Sequence, residues 1–128
     1  MIYYFSKRIN TSFEEAIEKV TAILASNGFG IITEIDVTST FKKKLDIDFR
    51  KYRILGACSP KHAYAAISNE DKIGLMLPCN VVVQELSDNL IEVSAIDPIA
   101  SMASVENNNL GEIAQEIQSK LKLVIESL

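Results

Sequence analysis

Tryptophan is missing from this sequence, and Phe and Tyr supply only 7% of it. Aliphatic side chains must therefore fill whatever core the 128 residues build. Cysteine occurs twice and histidine once. There is no Cys-x-x-Cys, so neither a dithiol redox motif nor a zinc ribbon is written in the chain. Gly28-Phe29-Gly30 lacks the further glycine and lysine of a phosphate-cradling loop. No apolar run comes near the ~20 residues a membrane-spanning helix needs. The opening MIYYFSKRIN has no basic start and too short an apolar run for a signal peptide. The expectation is a soluble, cytoplasmic protein with no membrane partner, whose cysteines are free thiols. An excess of cations is also lacking: 13 Lys and Arg face 17 Asp and Glu, a net charge of -4. Nucleic-acid binding needs cations to replace phosphate counterions, so no nucleic-acid partner is expected. The one basic run, Lys42-Lys43-Lys44, reads as a solvated helix face.

What is present suits one domain, residues 1–128: 48% of the chain is hydrophobic and 23% charged. Residues 2–9 read as a first strand of aromatic and β-branched residues. Thr11 or Ser12 then caps a helix, Ser12 with Glu15 fitting the Ser-x-x-Glu capping box. Phe13, Ala16, Ile17, Val20 and Leu24 give that helix one apolar stripe, and Gly28 ends it. The next strand, FGIITEIDV, puts Phe29, Ile31, Ile35 and Val37 on one face and Glu34 and Asp36 on the other. Residues 38–46 form a short helix or turn capped by Thr38 or Ser39, with Phe41 and Leu45 inward. Tyr52 to Cys58 is the third strand. Ser59 and Pro60 restart a helix that ends near Asn69, Ser as N-cap and Pro at the first helical position.

The fourth strand lies within Leu75 to Glu85, and Pro78 delays its pairing until near Asn80. Ser87-Asp88-Asn89 turns it into the fifth, Leu90 to Ile96, with Glu85 and Glu92 as solvent-facing partners. After Pro98 a looser segment leads to a last helix, from about Asn109, striped by Leu110, Ile113, Ala114, Ile117, Leu121, Val124 and Leu128. The order is strand, helix, four strands, helix. This predicts an α+β fold with a mainly antiparallel five-stranded sheet and two long helices on one face. Val81-Val82-Val83 then puts apolar residues on both faces, and Ile32 and Leu55 also point away from the helix side, which predicts a homodimer packed through the sheet.

YRILGACSPKHAYAAI, then GLMLPCNVVVQEL, then AIDPIASM resemble the family of domains of unknown function numbered 302. Tyr52, Gly56, Ala57, Cys58, Pro60, Ala63, Leu77, Pro78, Cys79, Asn80, Val81, Asp97, Pro98 and Met102 fall on its pattern. Ser59 stands where that family usually has Asn. The resemblance implies a fold of the TATA-box-binding-protein-like class and a dimer. It implies no assigned activity.

Cys58 precedes a helix N-cap, where unpaired N–H groups and the helix dipole favour a thiolate. A buried strand-end cysteine, close-packed beside Gly56 and Ala57, is the other reading. Cys79 begins the fourth strand and would approach Cys58 if the third and fourth strands are neighbours. His62, four residues after Cys58, is either a base or ligand beside the thiol or an exposed helix residue. Cys58, His62 and Cys79 together would make a three-ligand zinc site. Tyr52 reads as a pocket wall or as core, and Asp97 as a carboxylate at the end of the fifth strand or the start of a turn. No cofactor is identified by these residues, and enzyme status stays open. The leading expectation is a homodimeric module that binds a small ligand or metal near Tyr52, Cys58, Ser59, Cys79 and Asn80. The alternatives are a thiol-dependent redox or sulfur-transfer protein, with Cys58 as nucleophile and Cys79 as resolving thiol, and a purely structural or interaction domain.

Overall fold

The computed structural model describes residues 2–128. Five strands form one antiparallel sheet: β1 (Tyr4–Asn10), β2 (Gly30–Asp36), β3 (Tyr52–Cys58), β4 (Cys79–Ser87) and β5 (Leu90–Ile96), in the spatial order β1-β5-β4-β3-β2. Helix α1 (Phe13–Ser26) leaves β1 at one edge and delivers the chain to β2 at the other. Helix α5 (Gly111–Glu126) packs beside it on the same face. The expected α+β order is therefore the observed one.

The caps explain where α1 starts and stops. Ser12 Oγ accepts the Glu15 N–H at 3.2 Å, as the capping box requires. The Glu15 carboxylate turns to the Thr11 hydroxyl at 2.7 Å. Gly28 has a φ of 85°, the left-handed conformation a helix exit needs and only glycine adopts freely. Phe13, Ala16, Val20 and Leu24 are buried against Leu55, Val81, Val83, Ile91 and Val93 from the sheet and Leu121 and Val124 from α5. Each large aliphatic side chain so buried contributes about 1.5–3 kcal/mol.

Two expectations about sheet faces are corrected, the first by a bulge in β2. Ile31 pairs with Ala57, but Thr33 pairs with Gly56, so Ile32 is an extra residue in β2. One inserted residue flips everything after it to the other face. Ile35 therefore lies opposite Ile54 on the open face, while Glu34 and Asp36 lie on the helix side, where Arg53 pairs with them at 3.0 and 3.7 Å. Leu55 does not point to the open face: it is 1% exposed and belongs to the helix-side core.

Helix α2 (Val37–Leu45) is capped by Asp36, whose carboxylate accepts the Ser39 N–H at 3.0 Å, and not by Thr38 or Ser39. A carboxylate at the positive helix end is the stronger cap available there. Leu45 is exposed, and Phe41 packs on Phe49 instead of a core. Glu85 faces Ile91 across the hairpin, and Glu92 pairs with Arg8 at 3.2 Å, so the two glutamates are not partners.

Beyond one end of β3 and β4 a second small core forms. Helix α3 (Pro60–Asn69) brings Ala66, the following 3-10 turn brings Ile73, and α5 with its leading turn brings Ala114 and Leu110. Met102, just after the one-turn helix α4 (Pro98–Ser101), completes it. Asp97 caps α4 by accepting the Ile99 N–H at 3.0 Å, and Gln118 of α5 donates to both its oxygens. The Asp-Pro pair is thus a helix start that ties this segment to α5.

Candidate functional site

The second core does not close completely on the first. Between them lies a cavity of about 260 Å³, partly open to solvent. Its walls come from Phe29 ahead of β2, the end of β3, α3, the Leu77-Pro78-Cys79 segment, Met102 and Ile117. Ile32 and Ile67, 61% and 47% exposed, contribute to the same wall. Almost all of the lining is apolar. Among the lining residues, Cys58, Ser59, His62 and Cys79 are those with polar or thiol side chains.

The GACSP stretch builds this site by close packing. Gly56 lies against Thr33 of β2 and Pro78; a Cβ there would overlap Thr33 Oγ1 and stand 2.8 Å from Pro78 Cγ. Ala57 is buried directly opposite Cys79 across the β3–β4 ladder. Cys58, the last residue of β3, and Cys79, the first of β4, both line the cavity as free thiols, Cys58 half-buried and Cys79 buried. Burial pushes the Cys79 thiol up from an ordinary 9.0 to about 11, and the neighbouring Cys58 charge adds to the rise. Cys79 is thus a neutral thiol at physiological pH.

Ser59 holds the N-cap position of α3 but makes no capping bond with its side chain. Its hydroxyl lies 2.7 Å from His62 Nδ1, within the first turn of the helix. His62 Nε2 lies 2.8 Å from Glu116 Oε2 of α5. A carboxylate can only accept, so Nε2 carries the proton; on the neutral ring Nδ1 is then the acceptor, and the Ser59 hydroxyl donates to it. Ser59 and His62 are 8% and 5% exposed, so the reading of His62 as an exposed helix residue is overturned. Ser59 is at the expected N-cap position, but its hydroxyl is turned to the imidazole three residues on and accepts no backbone N–H.

The expected ligand-binding set divides between two places. Cys58, Ser59 and Cys79 line the cavity with His62. Tyr52 and Asn80 lie on the open face of the sheet, in a groove shared with Tyr4, Val82 and Gln84. Strand alternation explains the separation, since Asn80 follows Cys79 directly and must point the other way. The zinc expectation is also corrected. Among the described residues no three His, Cys, Asp or Glu side chains are grouped to hold a metal, and both nitrogens of His62 already have partners. Glu116 was missed in the sequence reading. It sits beside Ile117 on the shoulder of the α5 stripe, and only the packing of α5 on α3 reveals its role.

Among solved structures, the crystal structure of an uncharacterized conserved DUF302 protein from Bacillus stearothermophilus is similar, with a TM-score of 0.89, 24% identity and 98% of each chain covered. At that identity the likeness shows the fold. No curated protein matches the chain. Residues 5–128 match the family described as "Domain of unknown function DUF302", and the chain belongs to that family.

Proposed function

We propose that this chain is a binding module for a small, mainly apolar organic molecule held in the cavity between α3 and the ends of β3 and β4. The observation that carries the reading is the cavity itself: about 260 Å³, apolar-walled, with its few polar groups concentrated at Ser59, His62 and the two thiols. Such a composition suits a ligand with an apolar body and one oxygen-bearing group. A cavity of about 150 Å³ takes benzene, so this one has room for on the order of ten non-hydrogen atoms. Butyrophenone is a suitable probe, and calorimetric titration tests the reading. Saturable binding at one site per chain supports it; no heat of binding for ketones of this size argues for the purely structural alternative.

The thiol-enzyme reading has one supporting observation, the shared placement of Cys58 and Cys79 at the cavity. Against it, Cys79 is held as the neutral thiol, a poor form for a resolving group. A homodimer through the open sheet face is part of the proposal. Tyr4, Ile35 and Val82 give that face apolar material, and the groove along it is a shape that a second copy could fill.

A further inference from the structure

Three polar side chains are joined in one line: Ser59 Oγ to His62 Nδ1 at 2.7 Å, and His62 Nε2 to Glu116 Oε2 at 2.8 Å. A hydroxyl, an imidazole and a carboxylate in series are the parts of an acyl-transfer site, recognised by geometry and roles and not by order in the chain. Two nitrogens are exchanged relative to the usual arrangement, the serine meeting Nδ1 and the carboxylate Nε2. The cause is the spacing. Residues three apart on one helical turn face each other, and the nearer ring nitrogen, Nδ1, is the one within reach of the Ser59 hydroxyl. Either ring nitrogen can take a proton, so the exchange leaves the chemistry intact.

Two further observations place this line where a carbonyl would be. Ser59 and His62 both line the apolar cavity and are themselves almost wholly buried, so an apolar substrate held there lies against the hydroxyl. Because the Ser59 hydroxyl does not cap α3, the Lys61 and His62 N–H groups at the first turn have no side-chain cap. Donors at a helix start are a common support for a developing oxyanion. Pro60 has no N–H to offer, so these two are the nearest.

The geometry points to Ser59 as a nucleophile toward small esters, with His62 as its general base and Glu116 as the residue that positions His62. This inference rests on the binding reading above, since the substrate would occupy the same cavity. Ser59 Oγ bonds to the carbonyl carbon while its proton passes to His62 Nδ1. The tetrahedral adduct collapses, the carbon–alkoxide bond breaks, and the alcohol leaves with the proton from Nδ1. Water then repeats the sequence on the Ser59 ester, His62 taking its proton and returning it to Ser59. The sum is ester plus water giving acid plus alcohol, with no oxidant or cofactor required. The substrate class is an ester of a short acyl chain and a small apolar alcohol, near the size of the butyrophenone probe.

The test combines a covalent probe, a substrate and an unreactive ligand. Diisopropyl fluorophosphate, of similar size, should place one diisopropylphosphoryl group on Ser59, fluoride leaving, as located by peptide mass spectrometry. Phenyl butyrate hydrolysis should fall at least about 100-fold in Ser59→Ala. Glu116→Gln should slow hydrolysis at least about tenfold while leaving butyrophenone affinity unchanged, a separation that a merely structural role would not produce. Hydrolysis that persists in Ser59→Ala, or a wild-type Ser59 that stays unlabelled, overturns the inference, and the second result holds even if the alanine variant folds poorly. If butyrophenone binds while Ser59 stays inert, the acyl-transfer inference fails and the binding reading stands. If neither ketone nor probe engages the cavity, both fail.

Discussion

Gly56 and Pro78 lie so close that a single added methyl group at Gly56 would stand 2.8 Å from the Pro78 ring and overlap Thr33 Oγ1. This contact locks the end of β3 to the segment that begins β4, and so fixes the cavity wall between Cys58 and Cys79. Gly56→Ala should therefore destabilise the fold by about 2–3 kcal/mol, an overpacking cost. Urea denaturation would measure it. Adding Thr33→Ala should recover part of the loss, because the two side chains compete for one space. A Gly56→Ala protein as stable as the wild type would contradict the close packing.

His62 joins α3 to α5 through Glu116 and holds the Ser59 hydroxyl. Its replacement by alanine leaves a buried hydroxyl without its partner and opens a void beside the cavity. The expected cost is about 2–4 kcal/mol, read from denaturation midpoints. The same change at exposed Tyr64, two residues along α3, should cost little.

Cys79 makes stability depend on alkaline pH. Its pKa lies above the unfolded value, at about 11 against 9.0, so the folded state keeps a proton that the unfolded chain has lost. The stabilisation is fully present below pH 9 and is lost as pH rises through the folded value, giving a decline between about pH 9 and 11. Cys79→Ala should remove this part of the decline. Alkylation of Cys79 in the folded protein should likewise stay slow until the pH approaches 11. Fast alkylation near pH 8 would contradict the buried, neutral thiol.

The proposed dimer has its own test. Val82 lies on the open face and is half-buried in the isolated chain. Sedimentation equilibrium should find a concentration-dependent dimer for the wild type and a monomer for Val82→Lys, with the melting curve little changed at low concentration. A wild type that stays monomeric across the accessible concentrations ends the proposal.

Element order was legible because the helices announce themselves twice, by stripe and by cap. Ser12 and Glu15 mark the start of α1, Gly28 its end, and Phe13, Ala16, Val20 and Leu24 its buried face. Face assignment in β2 was not legible. The bulge at Ile32 has no sequence mark, and one unmarked residue reverses Ile35, Glu34 and Asp36 together. The site was half legible for a similar reason. Cys58, Ser59 and Cys79 are close in the ladder, and the two cysteine blocks signalled them. Glu116 is 54 positions from His62. Nothing in its own neighbourhood sets it apart from the other acids of α5, and only the docking of two helices makes it a partner. Tyr52 and Asn80 were grouped with the thiols by proximity in sequence; alternation turns Asn80 away from Cys79, and Tyr52 stands at the opposite end of β3 from Cys58.

The central claim is that the cavity holds an apolar ligand, and nuclear Overhauser contacts from bound butyrophenone test it most directly. Contacts from its protons to the methyl groups of Ala63, Ile67, Met102 and Ile117, abolished by the cavity-filling variant Ala63→Phe, are the predicted result. Contacts to Val82 on the open face instead, or binding unaffected by Ala63→Phe, would contradict the account.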